Sequence, residues 1–441
     1  MKYQKLSSGE NKILFLILSS ALLIKIILAL IIQTQLRSDS VTYNDLAQSI
    51  LKGGYSIDGR PTAFVVLGYP LFLSGIYSAF GEGQFYVKII QSLIEILTGL
   101  LFFKVSRFFF AVKLSMISLA IFSFLPSNLL FSQAILTESL FGFFYMTVIY
   151  FCLKENFVKI IFLTGIFFGL AILVRSSFSF AVLLVPMYLL IGRKDFFENK
   201  YFINILKYSV IFFAGLTLIL SPWIIRNKLV MNSFTLATQG GSTLWEGNNP
   251  DATGTWNPIA VNNNPLFENP DEIYREKEFY RLAKNFILEN PVKFLTLGIK
   301  KTAYLFSSER MIVLYFTDSV PGETSTQVYK AVNPLILLLI NVPYFIIMLL
   351  GTWGLLLLKQ KRFFIFGFIL MWLITIFIFV GLARYHYVLI PFFILGTVNF
   401  FIQRKKFWKE LSLPGKLIGS GFSVFLLAVW TSEIYLLITN R

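Results

Sequence analysis

ILFLILSSALLIKIILALII, residues 13–32, is the stretch that decides the fold. It carries one charge, Lys25, in twenty residues, and about twenty apolar residues are what an α-helix needs to cross some 30 Å of hydrocarbon. The run is too long for the apolar part of a cleaved signal peptide, and no small-x-small site follows it, so it reads as a signal-anchor. Lys25 is expected to snorkel toward the interface. Similar runs recur at 85–103, 114–131, 138–153, 160–174, 178–192, 208–225, 335–357, 363–381, 387–402 and 417–438. The expectation is an all-α integral membrane protein of about eleven spans.

Composition agrees. Apolar residues make up 56% of the 441-residue chain and charged residues only 14%, against about 25% charged in soluble domains. The formal net charge is +16. Because the basic residues cluster in short loops between apolar runs, lipid head groups rather than nucleic acid are their partners. Cys152 is the only cysteine and His386 the only histidine, which excludes an intrachain disulfide and a cysteine-rich metal site and argues against a histidine-based triad or zinc site.

Orientation follows from the same basic loops. With the N-terminus cytoplasmic, the inner loops hold Lys104, Arg107 and Lys113, then Lys154 and Lys159, then Arg193, Lys194 and Lys200, and later Lys359, Lys361, Arg362 and Arg404 to Lys409. The short outer loops are nearly free of Lys and Arg, and long translocated segments escape the rule. The chain then divides into the N-terminus with the first span (1–34), a first outer segment (35–84), spans two to seven (85–225), a large outer segment (226–334) and the last four spans (335–441).

In the first outer segment Val41, Tyr43, Leu46, Ala47, Ile50 and Leu51 recur at helical spacing, with Asn44, Asp45, Gln48 and Lys52 opposite. This predicts a short helix in the membrane interface, stopped by Gly53-Gly54. The large outer segment opens with the Gly/Asn/Pro-rich loop GGSTLWEGNNPDATGTWNP. A charged helix follows over about 271–289, and Pro291 suits the first turn of another.

No Gly-rich phosphate loop, GxSxG elbow or HExxH occurs, so chemistry must use carboxylates, Arg, Lys, Tyr and backbone amides. Asp39, Glu138, Arg175, Arg226 and Arg384 all fall near the outer ends of spans. Ionisable groups at membrane depth are functional candidates. A carboxylate can take a hydroxyl proton, and arginine can hold a phosphate bidentately. Each also has a plain structural reading. Asp39 or Ser40 suits an N-cap, Glu138 suits a helix N-terminus, and the arginines suit interfacial anchors. Trp245 and Trp256 fit an aromatic belt, and His386 a span boundary.

Eight motifs in order then resemble the bacterial glycosyltransferase family 39 proteins, relatives of the dolichyl-phosphate-mannose–protein mannosyltransferases and of the lipid A aminoarabinose transferase. They are SDSVTYNDLAQSILKGG, LGYPLFLSGIY, LTESLF, GLAILVRSSF, SPWIIRNKLV, GGSTLWEGNNPDATG, ENPVKFLTLGIKKTAYLF and ARYHYVLIPFF. The resemblance implies the GT-C fold, a transmembrane bundle with interfacial helices and an outer-face site. It implies a hexosyl- or pentosyltransferase of the bacterial inner membrane that moves a sugar, with inversion, from a polyprenyl-phosphate donor to a hydroxyl of a lipid, glycan or protein acceptor. Asp39 corresponds to the first-loop aspartate that acts as general base, and Glu138 to the acidic residue of the second outer loop. Arg384, Arg226, Arg175, Tyr43 and Asn248 are the expected substrate-binding residues. No cofactor is expected. Some GT-C enzymes use a divalent cation, for which Asp39 and Glu138 alone make a thin site. Two departures bear on the acceptor: Ser40 stands where the mannosyltransferases have Glu after the Asp, and the chain carries nothing like the lipid A transferases' C-terminal outer domain after its last span. The rival functions are a flippase or transporter of a lipid-linked sugar, and a glycan polymerase or ligase with a polyprenyl diphosphate donor.

Overall fold

A computed structural model describes residues 5–34, 36–154, 158–184, 201–257, 264–317, 329, 331–359 and 361–439. Helices dominate. In chain order they are α1 (Ser8–Ile31), α2 (Asp39–Leu51), α3 (Gly68–Phe80), α4 (Gln84–Ser106), α5 (Val112–Phe124), α6 (Pro126–Phe131), α7 (Glu138–Leu153), α8 (Val158–Val174), α9 (Tyr201–Met231), α10 (Gln239–Gly247), α11 (Glu272–Glu289), α12 (Pro291–Leu305), α13 (Arg310–Tyr315), α14 (Pro334–Leu356), α15 (Arg362–Ile378), α16 (Ile390–Gln403), α17 (Phe407–Glu410) and α18 (Leu413–Thr439). Among the described residues the one sheet is a hairpin pairing β1 (Ser56–Ile57) with β2 (Arg60–Pro61). Asp58 and Gly59 form its turn with φ of +51° and +75°, the Asp-Gly geometry that suits a tight hairpin.

Among the described residues five helices are long and apolar enough to cross a membrane: α1, α4, α14, Ile205–Met231 of α9 and Leu413–Leu436 of α18. Five shorter apolar helices, α5, α7, α8, α15 and α16, accompany them. The chain is a multi-pass membrane protein. Three expected spans differ in detail. The run at 114–131 breaks into α5 and α6, because Pro126 supplies no N–H to continue α5 and holds Leu125 extended at φ −62°, ψ 126°. The run at 387–402 begins as a 3-10 turn, Ala383–Val388, before α16 with Pro391 in its first turn. Of the run at 178–192, residues 178–184 lie in the 3-10 helix Ser176–Leu184 and the remainder falls outside the described residues.

Caps explain the helix ends. Ser7 and Glu10 form a reciprocal capping box at α1. Asp271 accepts the Tyr274 N–H at α11, and Pro291 and Pro334 open α12 and α14. The loop expected over 240–258 is partly helical. Residues 239–247 form α10, although they contain three glycines, because Gly241 donates to Glu276 at 2.8 Å and Gly247 packs directly on the Phe379 carbonyl.

Lys25 does not snorkel. It is buried between spans, and its ammonium donates to the Asn128 carbonyl at 2.6 Å and to Ser132 Oγ at 3.1 Å. The short α6 and the residue after it supply those acceptors, which is why a charge is tolerated at that depth.

Within the bundle α14 packs on α16 and α8 on α9. In lipid, helices associate by close packing at small residues rather than by the hydrophobic effect. At the first crossing a Cβ on Gly354 would lie 1.7 Å from the Gly396 carbonyl oxygen, and one on Gly396 would lie 2.2 Å from that of Gly351. Gly354→Ala must therefore force the two backbones apart, at a cost of about 1–3 kcal/mol or more. Thermal unfolding in detergent should show a clearly lowered midpoint. Gly75→Ala, at a site with nothing within 4 Å, should leave it unchanged.

Candidate active site

The segment that follows α1 sets the position of Asp39. Before α2 the chain turns sharply at Ser38, whose φ of +48° and ψ of −124° suit glycine better than serine. Ser40 fastens the turn. Its N–H donates to the Arg37 carbonyl at 3.1 Å, and its hydroxyl accepts the Arg37 N–H at 2.6 Å. Ser38 thus occupies the N-cap place without a side-chain cap bond. Asp39 is the first residue of the helix, not its cap, and its side chain turns to Arg384 instead.

Arg384 stands on the 3-10 turn between α15 and α16. That turn is held by Trp372 of α15, whose indole N–H donates to the Tyr385 carbonyl at 2.9 Å. Its guanidinium bonds to Asp39 Oδ2 and places Nε 3.8 Å from Glu138 Oε1. Glu138 opens α7, is 1% exposed, and accepts from Arg175 Nη2 at 2.9 Å. Arg175 directly follows α8 and lies over the Tyr385 ring at 4.9 Å. Gly68 makes its position possible: α3 approaches so closely that a Cβ there would sit 2.5 Å from the Leu173 carbonyl oxygen. Two guanidinium groups and two carboxylates, from four separate stretches of chain, form one nearly neutral cluster.

The cluster floors a cavity of about 280 Å³. Asp39, Tyr43, Arg175 and Arg384 line it. Two donors of the cluster, Arg175 Nη1 and Arg384 Nε, are buried without a hydrogen-bond partner, as is the acceptor Glu138 Oε2. Buried polar atoms normally find partners. Burial would raise the pKa of Asp39, but the Arg384 guanidinium, with Arg175 behind it and a hydrogen bond from Ser38, holds it below the ordinary value. Glu246, at the end of α10, goes the other way: burial, with the Asp39 charge nearby, pushes it up to about 7.

Of the seven expected site residues, the structure brings five together: Asp39, Glu138, Arg175, Arg384 and Tyr43. Arg226 and Asn248 do not join them. Arg226 donates to the Thr62 and Tyr55 carbonyls at 2.7 and 2.8 Å and lies over the Trp223 ring, so it clamps the hairpin segment to α9. Asn248 is fully buried. It bonds to the Leu244 and Ile378 carbonyls and accepts from Lys301 at 2.9 Å. Their polar groups are spent on backbone. His386, two residues past Arg384, is wholly buried, with Nδ1 2.9 Å from the Leu305 carbonyl oxygen and Nε2 3.2 Å from Glu309. Sequence reasoning missed Trp372, Tyr385 and Tyr280, which line the cavity, and Glu246 near Asp39. Of these only Tyr385, adjoining Arg384, stood beside a recognised residue. Among the described residues no group of three His, Cys, Asp or Glu side chains gathers into a metal-ligand set.

No protein-family model matches the chain, and no curated protein matches its sequence. Solved structures do. The chain is similar to the apo form of the Archaeoglobus fulgidus oligosaccharyltransferase, with a TM-score of 0.51 and 14% identity over 96% of this chain and 55% of that one. It is also similar to ArnT from Cupriavidus metallidurans bound to undecaprenyl phosphate, with a TM-score of 0.38 and 13% identity over 89% of this chain and 78% of that one. A third likeness is to the S. cerevisiae protein O-mannosyltransferase Pmt1-Pmt2 complex bound to the sugar donor, with a TM-score of 0.40 and 15% identity over 57% and 38%. The chain spans about half the length of the archaeal enzyme. At such identities the likeness is one of architecture: the chain shares the fold of the archaeal oligosaccharyltransferase.

Proposed function

We propose that the protein is an inverting membrane glycosyltransferase that moves a sugar from a polyprenyl-phosphate donor to an acceptor hydroxyl at the outer face of a bacterial inner membrane. The observation that carries this reading is the cavity floor, where a carboxylate and two arginines with unpartnered N–H groups face one space. Arginine binds phosphate through paired N–H donors, and Arg175 has the free donor and the cavity position that Arg226 lacks. The donor phosphate sits between Arg175 and Arg384. The acceptor oxygen attacks the anomeric carbon from the opposite side, the bond from that carbon to the phosphate oxygen breaks, and the phosphate leaves with its lipid. The hydroxyl proton passes to Asp39. No cofactor enters this scheme.

Arg384 gives the site a coupling. In the free protein it holds Asp39 ionised but engaged, which makes Asp39 a weak base. A phosphate competing for the same guanidinium loosens that bond, so Asp39 gains basicity when the donor is in place. Solvent and stray hydroxyls meet a quieter carboxylate when it is not.

Asp39→Asn keeps the shape of the side chain and should leave the protein folded in the membrane. Single-turnover sugar transfer should fall by about 10²–10⁴, the contribution of a general base; near-normal turnover would remove Asp39 from that role. A transporter of intact lipid-linked sugar would also be exposed by this assay, since it cleaves nothing.

Arg384→Lys and Arg175→Lys each replace a planar fork with a point charge. Undecaprenyl phosphate binding to purified protein should weaken in both, while Arg226→Lys should act on thermal stability instead. Unchanged lipid binding in both cavity variants would retire the phosphate clamp.

Orientation is open to labelling. Trp256 is exposed in the large outer segment. In a Cys152→Ser background, Trp256→Cys should react with a membrane-impermeant maleimide on intact spheroplasts. Reaction only after permeabilisation would invert the topology and place the site on the cytoplasmic face.

A further inference from the structure

The two ends of the cavity differ in chemistry. The floor is ionic, whereas the mouth is built from the large outer segment. Gln239, Gly240 and Thr243 of α10 line it, and Tyr280 of α11 stands across from them. Residues 239 and 243 share one helical face. Glu276, one turn before Tyr280, reaches the same place: its Oε2 accepts the Gly241 N–H at 2.8 Å. A Cβ at Gly240 would lie 2.3 Å from the Tyr280 hydroxyl and 3.3 Å from Glu276 Oε1. A phenol and a carboxyl group therefore meet over a glycine at the cavity mouth. Burial pushes Glu276 up to about 8, against the pull of the Gly241 bond, so at neutral pH it can donate as well as accept. The Tyr280 ring is 40% exposed. The transfer scheme above uses none of these groups.

A flat aromatic ring offers a surface to the apolar face of a sugar. A carboxyl, a phenol, an amide and a hydroxyl beside it supply both donors and acceptors for sugar hydroxyls. We propose that Tyr280, Glu276, Gln239 and Thr243 form an acceptor subsite, and that the acceptor is a saccharide. The proposal rests on the transfer reading, and it assigns the ionic floor to the donor and the mouth to the acceptor.

The test uses the full chain in nanodiscs and two kinds of probe. Saturation-transfer NMR is run with methyl glycosides of common hexoses and pentoses, and in parallel with a threonine-containing hexapeptide. At least one methyl glycoside should receive saturation. Tyr280→Ala and Glu276→Gln should each weaken that binding by about tenfold, some 1.4 kcal/mol. Glutamine keeps an acceptor for the Gly241 N–H, so a loss there reports the ligand contact rather than the fold. Gly240→Ala, which displaces the Tyr280 hydroxyl without touching either side chain's chemistry, should reproduce the loss. Saccharide binding unchanged in all three variants overturns the subsite, as does binding of the hexapeptide in place of any glycoside. Undecaprenyl phosphate binding to the wild-type protein separates the two readings. A protein that binds the lipid phosphate but no saccharide sinks the subsite alone, and one that binds neither sinks the transfer reading with it.

Discussion

The fold is organised around a buried ionic cluster that no single segment could stabilise. Asp39, Glu138, Arg175 and Arg384 come from α2, α7, the end of α8 and the turn before α16. Each charge taken out of water costs several kcal/mol unless it finds an opposite charge in good geometry. Glu138, at 1% exposure, is tolerable only because Arg175 reaches it, and Arg384 is tolerable only because Asp39 does. Such a pair gives little net stability, and removing one partner strands the other. The cluster is therefore better explained by what it can bind than by what it holds together. Its unpartnered N–H groups are the residue of an arrangement that is balanced in charge but not in hydrogen bonds.

That arrangement needs the segments 36–84 and 226–317 held firmly against each other, and the fixing is polar. Glu272 accepts from the Thr62 hydroxyl at 2.7 Å and the Ala63 N–H at 2.9 Å, and also from the Thr238 hydroxyl, so one carboxylate joins the two segments. Arg226 ties the hairpin to α9. Lys301, fully buried on α12, donates to Asn248 and to the Phe377 and Ile378 carbonyls at the end of α15. A cation at a helix C-terminus is favoured by the dipole, and burial pushes this one down to about 7. These three contacts set where Tyr280 and α10 stand relative to Arg384.

The legibility of these features from sequence was uneven, and the reasons are physical. Spans follow from length and apolarity, so the expected 335–357 matches α14 to within a residue, while the helices α1, α4 and α18 run a few residues beyond their expected apolar runs. Charge pattern located α11 and Pro291 the start of α12; that Asp271 caps α11 emerged from the structure. The break at Pro126 and the 3-10 turn at 383–388 were hidden, because apolar composition does not report backbone geometry. Site residues divide on the same line. Asp39, Glu138, Arg175 and Arg384 stood out as ionisable groups at span ends. Arg226 and Asn248 looked equivalent to them, yet both bond to backbone, a distinction that only tertiary structure makes. Glu246, Glu276 and Tyr280 sit in polar segments where carboxylates and tyrosines are ordinary. Nothing in their spacing says that α10 and α11 fold over a cavity.

Helix length explains why the cavity lies where it does. The helices that carry its floor are the short ones: α7 has 16 residues, α8 has 17 and α15 has 17. At about 1.5 Å per residue these span roughly 24–26 Å, less than the ~30 Å hydrocarbon core. All three reach their limit at the cavity. Glu138 begins α7, Arg175 follows the end of α8, and Phe379, which lines the cavity, follows the end of α15. The 3-10 turn carrying Arg384 likewise shortens the helical part of its span to the 14 residues of α16. The ends of these short helices together frame the cavity, and Gln239, Gly240 and Thr243 of α10 and Tyr280 of α11 line it as well. On the proposed function, a donor whose lipid tail stays in the bilayer would approach such a site by lateral diffusion, and its phosphate would supply the partner that the buried Arg175 Nη1 and Arg384 Nε lack.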